Sequence, residues 1–397
     1  MIPRYIPELP KSSMRLFLNL IYKGKFIEGN YINKFEEEFA NRLGIDHAIL
    51  FSSARNGLIS LLRQLKIGKG DEVIVPSYTC PAVPSVIEKI GATPIFIDVE
   101  KDTFNIDTKL IKSKITKKTK AIIATHIDGQ PCDLKEIIGL ASSYNLKLIE
   151  DCAQAIDAKY KGIKVGRFGD AAYYSFAFGK QLNTLGGGMI VTNNNLIATN
   201  LRRDIKKLSL AHKLPIINKY ILMYFINFCL NPFIFKIFIS PLIHILNIVG
   251  IDPINILFKD QGQVRKFTKY TNFQAGLGLQ QLKQLDENNA KRIKNARTLS
   301  KLLSKNIKIQ KQIKERESIF LYYSVLLDRR KKTKRKLIRL GIDTQESWNV
   351  SCSRLNRFRK YNCVCPVSDQ LEKKALYLPI YSQLKKKGFN LYCKTTK

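Results

Sequence analysis

Two short stretches hold residue types that together could do amine chemistry. Ser175-Phe176-Ala177-Phe178-Gly179-Lys180 follows the acidic run Glu150-Asp151-Cys152-Ala153-Gln154 and precedes Gly186-Gly187-Gly188. A lysine amine is a useful nucleophile near neutral pH only when its pKa is lowered. A lysine able to form a Schiff base, an upstream Asp able to pair with a pyridinium nitrogen and a hydroxyl near the lysine for phosphate are the parts that pyridoxal 5'-phosphate needs. Lys180, Asp151 and Ser175 supply those types. In so basic a chain a single lysine is ordinarily surface charge, and the flanking Ser175 and glycine run set Lys180 apart. Asp151 ends an apolar run, where a carboxylate is costly unless paired. It reads as the partner of a ring nitrogen or as a cap for the turn that follows. Gln154 could donate to a ring oxygen or face solvent.

Phosphate binding favours backbone N–H groups at a helix start. Phe51-Ser52-Ser53-Ala54-Arg55-Asn56-Gly57-Leu58 supplies an apolar run, a small-residue turn and a helix start in that order, with Arg55 adding charge. The alternative for such a turn is simple helix capping.

These residues need a scaffold, and the chain's alternation provides one. Phe35 to Ala40 predicts an amphipathic helix and His47 to Phe51 a strand. Val73 to Pro76, Thr93 to Asp98, Ala121 to Thr125 and Lys147 to Asp151 repeat the strand signal. The pattern predicts an α/β fold, a mainly parallel sheet flanked by helices. Ligands of such sheets sit beyond the carboxyl ends of the strands. Ser52, Ser53, the stretch from Pro76 through Tyr78 to Cys80, His126 and Asp151 fall at those ends and so converge on one crevice. A long helix is expected from Thr271 past Arg292, followed by a smaller α+β portion ending in Ala375 to Tyr381. The expected domains are residues 1–260, which bind the cofactor, and 261–397, the connecting helix and the small C-terminal unit.

Leu214 to Phe258 breaks the pattern. It is dominated by Ile, Leu, Phe and Tyr, with Lys219, Lys236 and Asp252 its charged residues and Pro232 and Pro241 interrupting it. A membrane span needs about twenty predominantly apolar residues. Pro232 to Gly250 nearly reaches that length while carrying Lys236, Pro241 and His244. The stretch predicts a helical insertion, buried or contacting a second subunit; a helix pair lying in a membrane surface and a true span are the alternatives.

The 397 residues, 45% of them apolar, suit a two-domain enzyme. The formal net charge of +35 would serve nucleic acid, an anionic membrane surface or an anionic substrate. The lysines accompany abundant Ile and Asn, a bias that AT-rich coding gives any protein, and they are dispersed. The exception, Arg329 to Lys336, reads as the solvated face of a helix closed by Gly341. No interleaved aromatic and basic motif is present, so nucleic acid is not an expected partner. Eight scattered cysteines without CxxC pairs predict reduced thiols rather than zinc or disulfides. Met1 to Leu9 lacks the apolar run and cleavage site of a signal peptide. A cytoplasmic location is expected, with peripheral contact to the inner membrane surface through 214–258 as the alternative.

Taken together, Phe35-Glu36, Ser52-Ser53-Ala54-Arg55, Gly70-Asp71-Glu72-Val73-Ile74-Val75-Pro76, Gly91-Ala92-Thr93-Pro94, Glu150-Asp151-Cys152-Ala153-Gln154, Ser175-Phe176 with Lys180, and Gln274-Ala275 with Gln281-Leu282 resemble the DegT/StrS-type sugar aminotransferases. The resemblance covers most of the chain outside Leu214 to Phe258. It implies a fold-type I pyridoxal-phosphate fold, a homodimer with sites at the subunit interface, and transfer of an amino group, typically from glutamate, to a keto group of a nucleotide-linked sugar. Amino-sugar and surface polysaccharide biosynthesis is the implied setting. By this similarity Lys180 is the Schiff-base lysine and proton shuttle, Asp151 the pyridinium partner, Gln154 a ring contact, and Ser175 with the Ser53-Ala54-Arg55 turn the phosphate ligands.

Some positions depart from the family pattern. Ala54-Arg55 stands where Gly-Thr is usual, which leaves Arg55 in place of a hydroxyl. Cys80 aligns with an aromatic residue that stacks on the cofactor, so either Tyr78 takes that role or Cys80 covers the ring. Phe267 and Thr268 align near an Asn that reaches the partner's phosphate, and Gly186 replaces an acidic residue. Dehydratases of the same fold carry His at the lysine position, so Lys180 favours amino transfer over dehydration. A membrane-surface binding protein that kept the fold without the chemistry is the reading from another class.

Overall fold

Near-continuous apolar runs along the central strands demand cover on both sheet faces. The computed structural model describes residues 2–230, 234, 237–238, 266–304 and 306–384. Within it β1 (His47–Phe51), β2 (Glu72–Pro76), β3 (Thr93–Ile97), β4 (Thr119–Thr125), β5 (Lys147–Asp151), β6 (Ala171–Ser175) and β7 (Gly188–Thr192) form one sheet in the order β1-β7-β6-β5-β4-β2-β3. Neighbours from β6 to β3 are parallel, and β7 runs antiparallel between β6 and β1. The mainly parallel α/β class read from the sequence is the class observed.

The helices are α1 (Ser13–Tyr22), α2 (Tyr31–Leu43), α3 (Ala54–Gln64), α4 (Ala82–Lys89), α5 (Leu134–Ser143), α6 (Asn195–Lys206), α7 (Lys213–Cys229), α8 (Asn272–Leu282), α9 (Leu285–Leu302), α10 (Arg330–Arg339) and α11 (Pro366–Lys374), with shorter helical turns besides. Strand side chains alternate between faces. Ala48, Leu50, Ile74, Ile122, Ala124 and Leu148 pack with Phe35 and Phe39 of α2 and with Leu134 and Ile137 of α5. Ile49, Phe51, Val73, Val75, Ala121 and Ile123 pack with α3, α4 and α6. Phe35 and Phe39 also meet the ring of Phe176, at centroid distances of 5.4 and 5.9 Å. Phe176 is the first residue after β6, so core packing fixes where the lysine segment begins.

A second sheet, β8 (Lys308–Ile309), β9 (Tyr323–Leu326), β10 (Gln345–Glu346) and β11 (Ala375–Leu378), runs antiparallel in the order β8-β9-β11-β10. The basic run lies on α10, where Leu337 and Ile338 are buried and most of the charged side chains reach solvent. Gly341, at φ +83°, closes it as expected.

The expected long helix from Thr271 past Arg292 is two helices. Gln284 N–H bonds to Gln281 O at 3.0 Å, a tighter turn that redirects the chain between α8 and α9. The insertion begins as the helix α7, whose Ile216, Tyr220 and Met223 are buried at helical spacing. Tyr220 stacks on Phe17 of α1 at 4.9 Å and meets Phe273 of α8 edge-on at 5.1 Å. Its outer face leaves Ile221, Leu222, Tyr224, Phe225 and Phe228 exposed. Among the described residues no helix is long and apolar enough to cross a membrane. From residue 231 to 258 the insertion lies outside the described residues except at 234, 237 and 238. Cysteines 80, 132, 152, 229, 352, 363 and 365 are unbridged, and Cys393 lies outside the described residues.

Candidate functional site

The carboxyl ends of the parallel strands gather Ser53, Cys80, Asp128, Asp151 and Ser175 along one edge of the sheet, and Lys180 sits in the connection between β6 and β7. That connection is held from several sides. Gly179, at φ +81°, turns the chain directly before Lys180 in a conformation that costs glycine little. Lys180 N–H closes a turn on Ala177 O at 3.2 Å, and Thr184 N–H bonds to Phe176 O at 3.1 Å. Gln274 of α8 donates to Thr184 O at 2.9 Å and to Gly186 O at 3.2 Å. Gln281, two turns along the same helix, accepts from Asn183 N–H and donates to Asn183 O, both at 2.8 Å. The motif glutamines of α8 are thus straps on the lysine segment. Gly188 opens β7 where a Cβ would lie 2.5 Å from Ala54 Cα, so a bare backbone lets the lysine segment and the start of α3 share one edge.

The electrostatics of this edge are unusual. Burial lowers the pKa of Lys180, opposed by its electrostatic interaction with Cys80, Asp151 and Asp128 nearby. Asp151 is buried, accepting from Ala153 N–H at 3.0 Å and from Thr125 Oγ1 at 3.4 Å. Both donors are neutral, and burial raises the pKa of the carboxyl. The sequence left two roles open for Asp151: it caps the following turn through Ala153 N–H, and its carboxyl is buried at the strand end. Gln154 is buried rather than solvent-facing. Its carbonyl accepts from Asp128 N–H at 3.0 Å and its amide donates to Asn349 Oδ1 at 3.1 Å.

Asp128 is the residue that sequence reasoning missed. It is fully buried, in the left-handed region at φ +57°, and accepts from Ser324 Oγ, from Tyr377 OH at 3.0 Å and from Asn349 Nδ2 at 3.3 Å. Burial pushes its pKa up to about 6 against those donors and the charge of Lys180. Its place two residues past His126 at the end of β4 was the available signal. Asp128→Asn should move the pH midpoint for amine labelling of Lys180 in cofactor-free protein downward, because a charge that favours the ammonium is gone. An unchanged midpoint, read by peptide mass spectrometry, would show the two groups to be uncoupled.

The remaining candidates separate. Ser53 caps α3, its Oγ accepting from Asn56 N–H at 3.1 Å, and the first intrahelical bond follows from Gly57 N–H to Ser53 O. The N–H groups of Ala54 and Arg55 therefore head the helix. Ser175 ends β6 opposite Gly188. Cys80 is exposed and within electrostatic reach of Lys180. Tyr78 has no exposed surface: its ring packs with Val99, Phe104, Ile127 and Leu371, and its hydroxyl donates to Ser347 at 2.8 Å. The structure therefore brings Cys80, not Tyr78, to the lysine. Phe267 packs under α3, where Asn56 reaches Lys266 O at 3.4 Å.

His126, Glu150 and Cys152 cluster in the core below this edge. Glu150 already accepts from the N–H groups of Gly166, Phe168 and Gly169, and His126 Nε2 contacts it at 3.2 Å. Its oxygens are committed to the fold, and the cluster acts as a structural clasp.

The residues fit pyridoxal phosphate. A buried carboxylate held by neutral donors matches a protonated pyridine nitrogen, an amine of depressed pKa matches the aldehyde carbon, and the N–H groups heading α3 match the phosphate. The profile of the DegT/DnrJ/EryC1/StrS aminotransferase family matches residues 8–214 and 257–392, which leaves out almost the same stretch as the insertion. GDP-perosamine synthase of Escherichia coli O157:H7 is 43% identical over 198 residues, 49% of this chain and 54% of that protein. A dTDP-3-amino-3,6-dideoxy-alpha-D-galactopyranose transaminase of Aneurinibacillus thermoaerophilus is 43% identical over 199 residues, 50% of this chain and 54% of that protein. The chain spans about half the length of these relatives in the matched region. The solved aminotransferase of Psychrobacter cryohalolentis superposes with a TM-score of 0.79 at 25% identity, covering 98% of this chain and 97% of that one. The chain belongs to the DegT/DnrJ/EryC1/StrS aminotransferase family.

Proposed function

We propose that this protein is a pyridoxal-phosphate-dependent aminotransferase that moves an amino group from glutamate onto a keto group of a nucleotide-linked sugar, for amino-sugar and surface polysaccharide biosynthesis. The observation that carries the reading is Lys180, an amine of lowered pKa beside the buried carboxyl of Asp151 on a segment strapped by Gln274 and Gln281. When bound, the cofactor supplies an electron sink at the carbon that carries the amine. In this reading Lys180 holds the cofactor and moves the proton at its own Nζ, Asp151 holds the ring nitrogen, and Ser175 with the Ser53-Ala54-Arg55 turn takes the phosphate. Gln154 and Cys80 border the ring. Relatives named for GDP-, dTDP- and UDP-linked amino sugars support the substrate class.

A cytoplasmic homodimer is the form we infer, with peripheral membrane contact through the insertion left to the outer face of α7. The test is to incubate cofactor-supplemented protein with glutamate and a panel of nucleotide-linked keto-sugars and to follow products by mass spectrometry. An aminated sugar nucleotide and an equal amount of 2-oxoglutarate are expected, from a protein whose light-scattering mass is that of two chains. Deoxygenated product without nitrogen would point to dehydration, and no visible cofactor absorbance with no product would overturn the reading.

A further inference from the structure

Away from the lysine, at the outer edge of the main sheet, two thiols stand close enough to react with each other. Cys363 and Cys365 flank a single residue, and their Sγ atoms lie 3.6 Å apart. The segment that carries them is pinned at both ends. Before it, Tyr361 OH donates to Glu88 of α4 at 2.9 Å, and Lys360 Nζ pairs with the same carboxylate at 2.7 Å. After it, Asp98, which follows edge strand β3, accepts from the N–H groups of Val367 and Ser368 at 2.8 Å each, and Cys365 is the N-cap residue of α11. In its thiol form Cys363 donates to Phe96 O of β3 at 3.1 Å. An S–S bond is about 2 Å long, and side-chain rotation can close the remaining gap while the backbone stays pinned.

The two thiols are not equivalent. Cys363 is half-buried beside Val364, which is 86% exposed, whereas Cys365 is 2% exposed. The hydrogen bond from Cys365 lowers the pKa of Cys363 to about 7 against its partial burial; the charge of Lys114 works in the same direction and Asp98 opposes it. The same bond, together with burial, raises the pKa of Cys365. The thiolate is the reactive form of a cysteine, and oxidation selects thiols that combine thiolate character, solvent access and a second thiol within reach. Cys363 meets all three conditions. Cys152 and Cys352 meet none of the first two, being buried with raised pKa values.

We propose that Cys363 and Cys365 are a modification site, where a peroxide oxidises the pair to an intrachain disulfide with Cys363 as the attacking and Cys365 as the resolving residue. The Cys363 thiolate attacks one oxygen of hydrogen peroxide, the O–O bond breaks, and hydroxide leaves, so that Cys363 carries a sulfenic acid. The Cys365 sulfur then attacks the Cys363 sulfur, the S–O bond breaks, and the hydroxyl leaves as water with the proton of Cys365. In sum two thiols are oxidised to one disulfide and one peroxide is reduced to two waters. The pair sits where the C-terminal unit joins the main sheet. Asp369 of α11 accepts from Ser351 Oγ at 2.6 Å, and Val350–Ser351 pairs with Tyr78–Thr79, directly before Cys80. A disulfide sulfur has no proton to give Phe96 O, so oxidation removes one tie of that joint. The proposal stands independently of the aminotransferase reading.

Trypsin should release Tyr361 to Lys373 as one peptide that carries both cysteines and no other. Full-length, cofactor-supplemented protein is treated with hydrogen peroxide, its remaining thiols are alkylated with iodoacetamide, and the peptide is weighed. It should lose two hydrogens and take up no alkyl group, and dithiothreitol given before alkylation should restore both thiols. Cys365→Ser removes the resolving thiol, so with dimedone present during peroxide treatment Cys363 should carry a dimedone adduct that the wild type, closing its disulfide first, largely lacks. Cys363→Ala, at the half-buried position, is the second variant, and in it Cys365 should remain an alkylatable thiol. Both thiols still alkylatable in the wild type at a peroxide dose that oxidises Cys80, or a disulfide joining Cys363 to a different cysteine, would overturn the assignment. So would Cys365 oxidised in Cys363→Ala as fast as in the wild type.

Discussion

Lys180→Ala should remove the visible absorbance of the cofactor-supplemented protein and lower amino transfer beyond ~10⁴-fold, the upper end of what one positioned proton-transfer group supplies. The size of the effect follows from two roles meeting in one amine. Burial lowers the pKa of Lys180 toward the range where the free amine exists, and Cys80, Asp151 and Asp128 temper that shift without reversing it. Truncation at Cβ deletes nucleophile and proton carrier together. The fold should survive, because the segment is held by Asn183, Thr184 and Gly186 through α8 and not by the lysine side chain. Lys180→Arg separates charge from nucleophilicity: it keeps a cation for Asp151 and Asp128 but cannot deprotonate, so absorbance should vanish as completely as with Ala. Absorbance retained in either variant would mean that another lysine holds the cofactor.

Legibility in the sequence followed the range of the interactions. β1 to β5 were readable because their signals are local: apolar runs of strand length, punctuated by turn residues, whose burial on both faces the sheet then required. Asp151 and Lys180 were readable because a strand end and a glycine-flanked lysine are local as well. Asp128 was not, since it becomes a hub only through Ser324, Asn349 and Tyr377, which lie 196 to 249 residues away along the chain. Tyr78 shows the opposite failure. Its spacing from Cys80 made it a candidate for stacking, and an apolar cluster from four other segments claimed the ring instead. The break between α8 and α9 involves neither proline nor glycine, so no local punctuation announced it. Gln274 and Gln281 were seen as family motif residues, but only the hydrogen bonds to Asn183, Thr184 and Gly186 say why α8 carries them.

Asp151→Asn should show that the site is held at a cost to stability. The buried carboxyl of Asp151 has its pKa raised, chiefly by desolvation. A raised carboxyl pKa means that the folded state binds the proton more tightly than the unfolded chain does. Its contribution to stability is therefore most favourable below the unfolded value of 3.8 and declines as pH rises through the folded value. Asn has nearly the same shape, can still accept from Ala153 N–H, and never ionises. Cofactor-free Asp151→Asn should thus melt above the wild type at pH 7 to 8, with the gap closing as the pH falls toward 4. Asp128, pushed up to about 6, should behave likewise across the window from 3.8 to about 6. Activity should move the other way. Without a fixed negative charge at the ring nitrogen, amino transfer should fall by roughly 10² to 10³, the scale of losing one preorganised electrostatic contact. The cofactor's visible absorbance should persist, because Lys180 is intact. Thermal melts over pH 4 to 8 beside single-turnover kinetics make the check. A cofactor-free variant that melts below the wild type at neutral pH would mean that Asp151 is a net stabiliser of the fold, and the charge would then not be waiting for a cationic ring.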